Sequence, residues 1–365
     1  MQNKQTLDYL SFINTNDGST GLYNSDVNDI YHSVYGAKEE AEEKFIKPLC
    51  FEKNFLDKKQ IRVLDICYGI GYNTKAFLKK IIQTKYNGEV FIDALEYDKN
   101  LVLISPFIKD GYFNRYPEIS YLLLSSLFDE IHSSKSAIKE ILFACSNKRF
   151  FTPFYWRLIK RFKYLGYNYS LLNKKQAFLH NIYYHCISRR IKSPIKRLKN
   201  KKITFKPYYD DARQSIKTLK GTYDIIFLDA FTPAKLPTLW SIDFFIKLYE
   251  LMNDDSLLVT YSNSAAVRHA MVDAGFFVGK IYDKNNRASG TVASKNKKLI
   301  QYPLNEYDCG LLNTAAGVYY KDPALNMSAE DILSEHETRR KNLNLQSSSS
   351  YIKQHKTIQE EKCTM

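Results

Sequence analysis

Long apolar runs, paired cysteines and, over one stretch, acidic residues are what this sequence lacks. None of its 365 residues falls in an apolar run approaching the roughly 18 positions of a membrane-spanning helix. Met1-Gln2-Asn3-Lys4-Gln5 leads into no signal-like apolar segment, so the chain is expected to be soluble and cytoplasmic. The six cysteines, Cys50, Cys67, Cys145, Cys186, Cys309 and Cys363, are scattered with no Cys-x-x-Cys among them, which argues against a disulfide framework and a zinc site alike. His180, His185 and Cys186 come nearest to a metal cluster. Their spacing fits no standard ligand pattern, so they read as helix-face residues and no metal is expected.

The missing acids matter more than the net charge of +14. From Ile141 to Tyr209 there is no Asp or Glu, while 17 Lys and Arg residues, among them Arg189, Arg190 and Arg197, stand uncompensated. Phe150, Phe151, Tyr155, Trp156, Tyr167 and Tyr183 are interleaved with them. Cations hold phosphates and aromatic rings stack on splayed bases, so this segment reads as a nucleic-acid contact surface. The alternative is a basic helical insertion whose aromatics pack inward while its lysines solvate.

Ile225 to Leu228 form a run of four apolar residues that ends at Asp229, followed by a loop containing Pro233 and Pro237. Such a run reads as a strand buried on both faces. A carboxylate at the end of a buried strand sits where open parallel sheets bind ligands, although an isolated one can also merely cap the next element. Upstream, Ile61 to Ile66 form a strand carrying Asp65, which breaks into Gly69-Ile70-Gly71 and a helix-like run. Paired glycines let backbone turn tightly beside a ligand, and the helix start beyond offers amides to an anion. Thr74 stands where the third glycine of the dinucleotide fingerprint would fall, which disfavours nicotinamide or flavin. A further strand, Glu89 to Leu95, ends at Glu96 about 25 residues beyond the glycines, the spacing at which an acid reaches ribose hydroxyls. These positions point at one crevice and a ribose-bearing ligand.

Strands at about 61–66, 90–96, 203–206, 223–228 and 256–261 alternate with helices near 241–252 and 265–274, and a final pair lies near 276–281 and 290–294. That alternation predicts an α/β protein with a mostly parallel, doubly wound sheet and an antiparallel end. Residues 1–57 form a polar lead-in, with helical character toward a stop at Pro48, expected to pack on the core. The main domain is expected over 58–340 with the basic, aromatic-rich insertion at about 105–202. The tail from 341 to 365, with Ser347 to Ser350, reads as disordered.

Several motifs stand together along the chain: Tyr31-His32-Ser33 with Gly36-Ala37, Asp65-x-Cys67-Tyr68-Gly69-x-Gly71-x-Asn73, and Asp211-Ala212-Arg213. The most specific is Phe227-Leu228-Asp229-Ala230-Phe231-x-Pro233-x-Lys235-x-Pro237-x-x-Trp240, with Thr260-Tyr261-Ser262, Val267-Arg268 and Gly290-Thr291 following. In these the chain resembles the MnmC-like methyltransferases, which form 5-methylaminomethyl-2-thiouridine at the tRNA wobble position. The resemblance implies a Rossmann-like class I fold and S-adenosyl-L-methionine as cofactor. The implied cofactor residues are Asp65, Gly69, Gly71, Asn73, Glu96 at the ribose and Asp211 near the adenine. Asp229 would anchor the substrate amine or take its proton, Phe231, Pro233 and Lys235 would border it, and Arg189, Arg190 and Arg197 would contact tRNA.

Cys67 replaces the usual first glycine of the loop, and Asn253-Asp254-Asp255-Ser256 replaces a common Pro-Gly-Gly turn. Nothing after residue 340 could fold as the flavin oxidoreductase domain of fused members, so a stand-alone methyltransferase is expected. Two other readings are a methyltransferase or aminopropyltransferase-like enzyme acting on a small amine, and a non-catalytic RNA-binding protein. Neither accounts for both the acidic crevice and the uncompensated charge.

Overall fold

Seven strands form one mostly parallel sheet in the order β6-β5-β4-β7-β8-β10-β9, and a separate antiparallel sheet runs β1-β2-β3. The computed structural model describes residues 9–26, 28–31, 36–112, 115–127, 130 and 202–363, with side chains of the last helix described as far as His355. The strands are β1 Leu10–Asn14, β2 Thr20–Asn24, β3 Asp29–Tyr31, β4 Gln60–Ile66, β5 Glu89–Leu95, β6 Ile203–Tyr208, β7 Tyr223–Leu228, β8 Met252–Thr260, β9 Phe277–Tyr282 and β10 Ala288–Ser294. All seven sheet strands anticipated from the sequence are present, and the closing pair is antiparallel as expected. Two compact units divide the chain: Met1–Ile61 with Cys67–Asp210, and Arg62–Ile66 with Asp211–Met365.

In the first unit, β5 and β6 pair in parallel, Val90 opposite Ile203 through Leu95 opposite Tyr208. The helix Tyr72–Gln83 turns Phe77 and Ile81 inward. Phe77 meets Phe51 edge-on at 6.0 Å, and Tyr86 meets the same ring at 5.9 Å. Edge-to-face pairs of this kind stabilise by about 1 kcal/mol beyond the area they bury. The polar lead-in contains more order than its composition suggested, because β1, β2 and β3 hydrogen-bond into a meander. A turn at its tip is tied by Asp17, which accepts from the Ser19 amide at 3.0 Å, the Thr15 hydroxyl at 2.7 Å and the Glu39 amide at 2.9 Å. The helical run toward Pro48 is broken up, with an α-turn at Ala37–Glu40, a π-helix at Ala41–Ile46 and a 3-10 turn at Lys47–Leu49.

The second unit carries β4, β7 and β8 in parallel and β10 and β9 antiparallel to their neighbours. Every residue of β7 is buried, as its unbroken apolar run requires. The chain reverses its direction of travel across the sheet between β4 and β7, so their carboxyl ends form the topological switch point at which such sheets bind ligands. The tail expected to be disordered instead contains the helix Ser348–Cys363. Tyr351 accounts for the difference: its ring lies 5.6 Å from that of Tyr307 and its hydroxyl donates to the Tyr307 carbonyl at 3.3 Å. His355 packs on the same Tyr307 ring at 5.4 Å, so a helix too polar to hold by propensity is stabilised by two docked rings.

Candidate active site

Around the glycine turn, three of five consecutive residues take positive φ: Cys67 at 62°, Gly69 at 57° and Gly71 at 81°. The two glycines need to be glycine for different reasons. A methyl group on Gly69 would find Tyr31 Cδ1 at 3.7 Å and the Cys67 carbonyl at 4.0 Å, ordinary contacts, so only its backbone conformation restricts it. On Gly71 it would lie 2.3 Å from the Tyr68 ring, a collision. Tyr68 cannot withdraw, since it is buried, hydrogen-bonded to Ser105 Oγ at 2.8 Å and packed on Phe205. Gly71 therefore serves internal packing, while Gly69 leaves room on its open side.

Glu96 is the partner of this turn. It is 8% exposed, and its Oε2 accepts the Gly69 amide at 2.7 Å while Oε1 accepts the Asp98 amide at 2.9 Å. The carboxylate expected beside a ribose is thereby locked to the turn that precedes it. Asp98 caps the helix Lys99–Ile104 through the Asn100 amide and accepts a hydrogen bond from the Tyr9 hydroxyl. Burial raises its carboxyl above the ordinary range. Tyr31, from β3, joins the group: burial and the negative charge of Glu96 push its phenol well above its ordinary value, and it accepts from Asn24 Nδ2 at 3.1 Å. Sequence reasoning did not assign Tyr31, Asn24 or Asp98 to this site. Asp98 had a readable signal, a capping residue before a short apolar run, whereas a three-residue strand leaves no periodicity to find. Asn73 lies in the first turn of Tyr72–Gln83, 3% exposed.

In the second unit, Asp65 is fully buried one residue before the end of β4, opposite Phe227 of β7. The Asp229 amide donates to the Ile66 carbonyl at 3.2 Å, which extends the β4–β7 ladder one step beyond the strand. These two predicted carboxylates are thus brought to the same end of neighbouring strands. The loop after Asp229 is held at two successive carbonyls. Tyr261 Oη donates to Ala230 at 2.8 Å, and Trp240 Nε1 donates to Phe231 at 2.8 Å, with the two rings edge-to-face at 6.1 Å. Trp240 is fully buried, so it acts as core and loop anchor. Phe231 and Pro233 are partly buried and Lys235 is exposed.

Asp211 is more heavily engaged than its sequence context suggested. It caps the helix Ala212–Thr218 through the Arg213 amide at 2.8 Å and accepts the Arg213 guanidinium on both oxygens. Arg213 reaches on to Asp322 Oδ2 at 2.6 Å and the Met327 carbonyl at 2.9 Å. Asp322 is fully buried and also takes the Asn326 and Met327 amides at 2.9 and 3.0 Å. Arg268 is likewise structural: its guanidinium is buried, which lowers its pKa, and it binds Thr291 Oγ1, Asn263 Oδ1 and the Gly290 carbonyl. Arg189, Arg190 and Arg197, with His180, His185 and Cys186, lie outside the described residues. No group of acidic, His and Cys side chains suited to a metal occurs among the described residues, and no helix among them is long and apolar enough to cross a membrane.

Residues 173–296 match a family model described as S-adenosyl-L-methionine-dependent methyltransferase. Over 332 residues the chain is 26% identical to an uncharacterized protein of Methanocaldococcus jannaschii, spanning 91% of this chain and 72% of that protein. Over 71 residues it is 41% identical to the tRNA 5-methylaminomethyl-2-thiouridine biosynthesis bifunctional protein MnmC of Burkholderia vietnamiensis, a match that spans 20% of this chain and 11% of that protein. The crystal structure of MNMC2 from Aquifex aeolicus has the same fold, with a TM-score of 0.60 at 22% identity over 91% of this chain and 85% of that one. Over residues 173–296, which include β7 and Asp229, the chain is thus similar to S-adenosyl-L-methionine-dependent methyltransferases, and its fold is the one seen in MNMC2 of Aquifex aeolicus. The sequence likeness to MnmC spans 20% of the chain.

Proposed function

We propose that this methyltransferase converts 5-aminomethyl-(2-thio)uridine to 5-methylaminomethyl-(2-thio)uridine at the wobble position of tRNA. The single observation that carries the reading is Asp229: a carboxylate at the switch point beside Asp65, on a loop whose next two carbonyls are held by Tyr261 and Trp240. An alkylamine is mostly protonated at neutral pH. A carboxylate held still beside it anchors the ammonium, then accepts or relays one of its protons, which frees the nitrogen lone pair to act as the nucleophile.

The residues fit the cofactor of the class by their chemistry. The open side of Gly69 would admit close approach of a ligand, the Gly69 and Gly71 backbone with Asp65 and Asn73 would hold an amino-acid end, and Glu96 would accept from ribose hydroxyls. Asp211, oriented by Arg213, would face the adenine. When bound, S-adenosyl-L-methionine supplies an electrophilic methyl group. Phe231 and Pro233 would border the amine and keep water from it, with Lys235 at the exposed rim. The 17 uncompensated positive charges between Ile141 and Tyr209 support an RNA substrate over a small free amine, with Arg189, Arg190 and Arg197 as phosphate contacts.

The test is mass spectrometry of tRNA nucleosides from a strain lacking the gene, complemented with wild type or Asp229→Ala. Methylaminomethyl-uridines should disappear on deletion and return with wild type only. Unchanged levels in the deletion strain would sink the reading, and methylation of a small amine without RNA would replace it.

A further inference from the structure

The mechanism leaves unused the tight turn that joins β9 to β10. Strand direction determines which end of the second unit it occupies. Leu228 of β7 lies opposite Thr260 of β8, Thr260 opposite Thr291 of β10, and Thr291 opposite Lys280 of β9, so these four residues form one line across the sheet. Asp229 is one residue beyond that line. Beyond the same line, on the same side, stands the turn Asp283 to Arg287, with Lys284 and Arg287 exposed.

From β7 to β9 is three inter-strand spacings, roughly 14 Å, and the turn rises about four residues, roughly 13 Å, past the line. The turn is preorganised. Asp283 Oδ1 accepts the Asn285 and Arg287 amides, both at 2.8 Å, its own amide donates to the Arg287 carbonyl at 2.9 Å, and Asn286 takes the left-handed conformation at φ 58°. Its base is fastened to the body of the unit: Asn263 Nδ2 donates to the Ala288 carbonyl at 3.0 Å, and Arg268 holds the Gly290 carbonyl at 3.1 Å. Two cations against one carboxylate leave the tip net positive on a stiff arm.

We infer that this turn is an RNA-backbone contact, with Lys284 and Arg287 engaging phosphates of nucleotides that flank the base presented to Asp229. The inference rests on the proposed tRNA reading and adds to it two residues that lie outside the basic sequence segment 141–209. An RNA strand carries a phosphate at every nucleotide, so a base delivered to Asp229 brings backbone charge within the 10–20 Å that separates the turn from it. Contacts of this kind position a substrate without reading its sequence.

The experiment measures binding of unfractionated tRNA by filter retention over a range of salt, for the full-length wild type and the double variant Lys284→Ala/Arg287→Ala. S-adenosyl-L-methionine titration serves as the control for an intact fold. Loss of two phosphate contacts should weaken tRNA binding about tenfold at moderate salt and flatten the log–log salt dependence by about 1 to 2. Cofactor affinity should not change, and Lys284→Arg/Arg287→Lys, which keeps the charges, should bind as wild type does. A double alanine variant with wild-type affinity and slope overturns the inference, as does a wild type that retains no tRNA. A wild type that binds tRNA through this turn but leaves aminomethyl-uridine unmethylated would defeat the substrate reading alone.

Discussion

The indole nitrogen of Trp240 donates to the carbonyl oxygen of Phe231 at 2.8 Å, which closes the loop from Phe231 to Trp240 over a fully buried ring and fixes the backbone that follows Asp229. Replacing Trp240 with Phe keeps an aromatic in the core but orphans that carbonyl. Stability should fall by about 1–3 kcal/mol. The rate of methyl transfer should fall while cofactor affinity holds, as read by urea unfolding, single-turnover kinetics and cofactor titration.

Asp229→Asn retains the shape of the side chain and removes its charge and basicity. If the carboxylate holds the ammonium or takes its proton, turnover should drop by about 10²-fold or more. Cofactor affinity should stay within about twofold of wild type by calorimetry. An undiminished turnover would assign the residue a capping role only.

Cys67 holds a left-handed backbone, φ 62°, at the position where related loops place glycine. That conformation costs a side-chain-bearing residue about 1–2 kcal/mol. Cys67→Gly should therefore stabilise the protein by about 1 kcal/mol once the added freedom of the unfolded chain is subtracted. Chemical denaturation checks this, and a destabilised variant would mean that the thiol makes packing contacts worth more than the strain.

Asp17 supplies a pH dependence of definite sign. Burial favours its neutral form, but hydrogen bonds from Ser19, Thr15 and Glu39 outweigh that and hold its pKa below the ordinary 3.8. A depressed carboxyl contributes stability that is complete above its unfolded pKa and is lost as pH falls through the folded one. The stability difference between wild type and Asp17→Asn should thus be constant from pH 7 down to about 5 and shrink below about 4. Paired unfolding curves across that range would detect it.

Asp322 is buried among the Arg213 guanidinium and two backbone amides. Asp322→Ala would leave Arg213 partly buried with a single carboxylate partner, Asp211. Breaking such an arrangement costs about 3–5 kcal/mol. Arg213→Lys should cost less, and if Asp211 faces the adenine it should also raise the cofactor dissociation constant.

The strand carrying Asp229 was legible because a strand buried on both faces shows as an unbroken apolar run, and Glu96 because strand-end acids follow the glycine turn at a regular spacing. Trp240 was visible as a residue but not as the anchor of Phe231, since that bond joins positions whose side chains and carbonyls meet only when the loop folds back. Tyr31 was visible as part of the Tyr31-His32-Ser33 motif but not as a neighbour of Glu96, because it belongs to a three-residue strand far from Glu96 in sequence. The helix in the tail had no such signal because its polar composition is that of a disordered segment, whereas Tyr351 and His355 pack on Tyr307, a residue more than 40 positions away.

By itself, the sequence determined the order of strands and helices, the carboxylates at strand ends and the unequal distribution of charge, because periodicity and composition act locally along the chain. Tertiary structure decided the rest. It showed that Gly71 is glycine because of Tyr68, that the Glu96 carboxylate is tied to the turn it was expected only to neighbour, and that Asp211 is held by Arg213 and Asp322. Each of these depends on which distant groups share a few ångströms of space, and packing is a property of the folded chain.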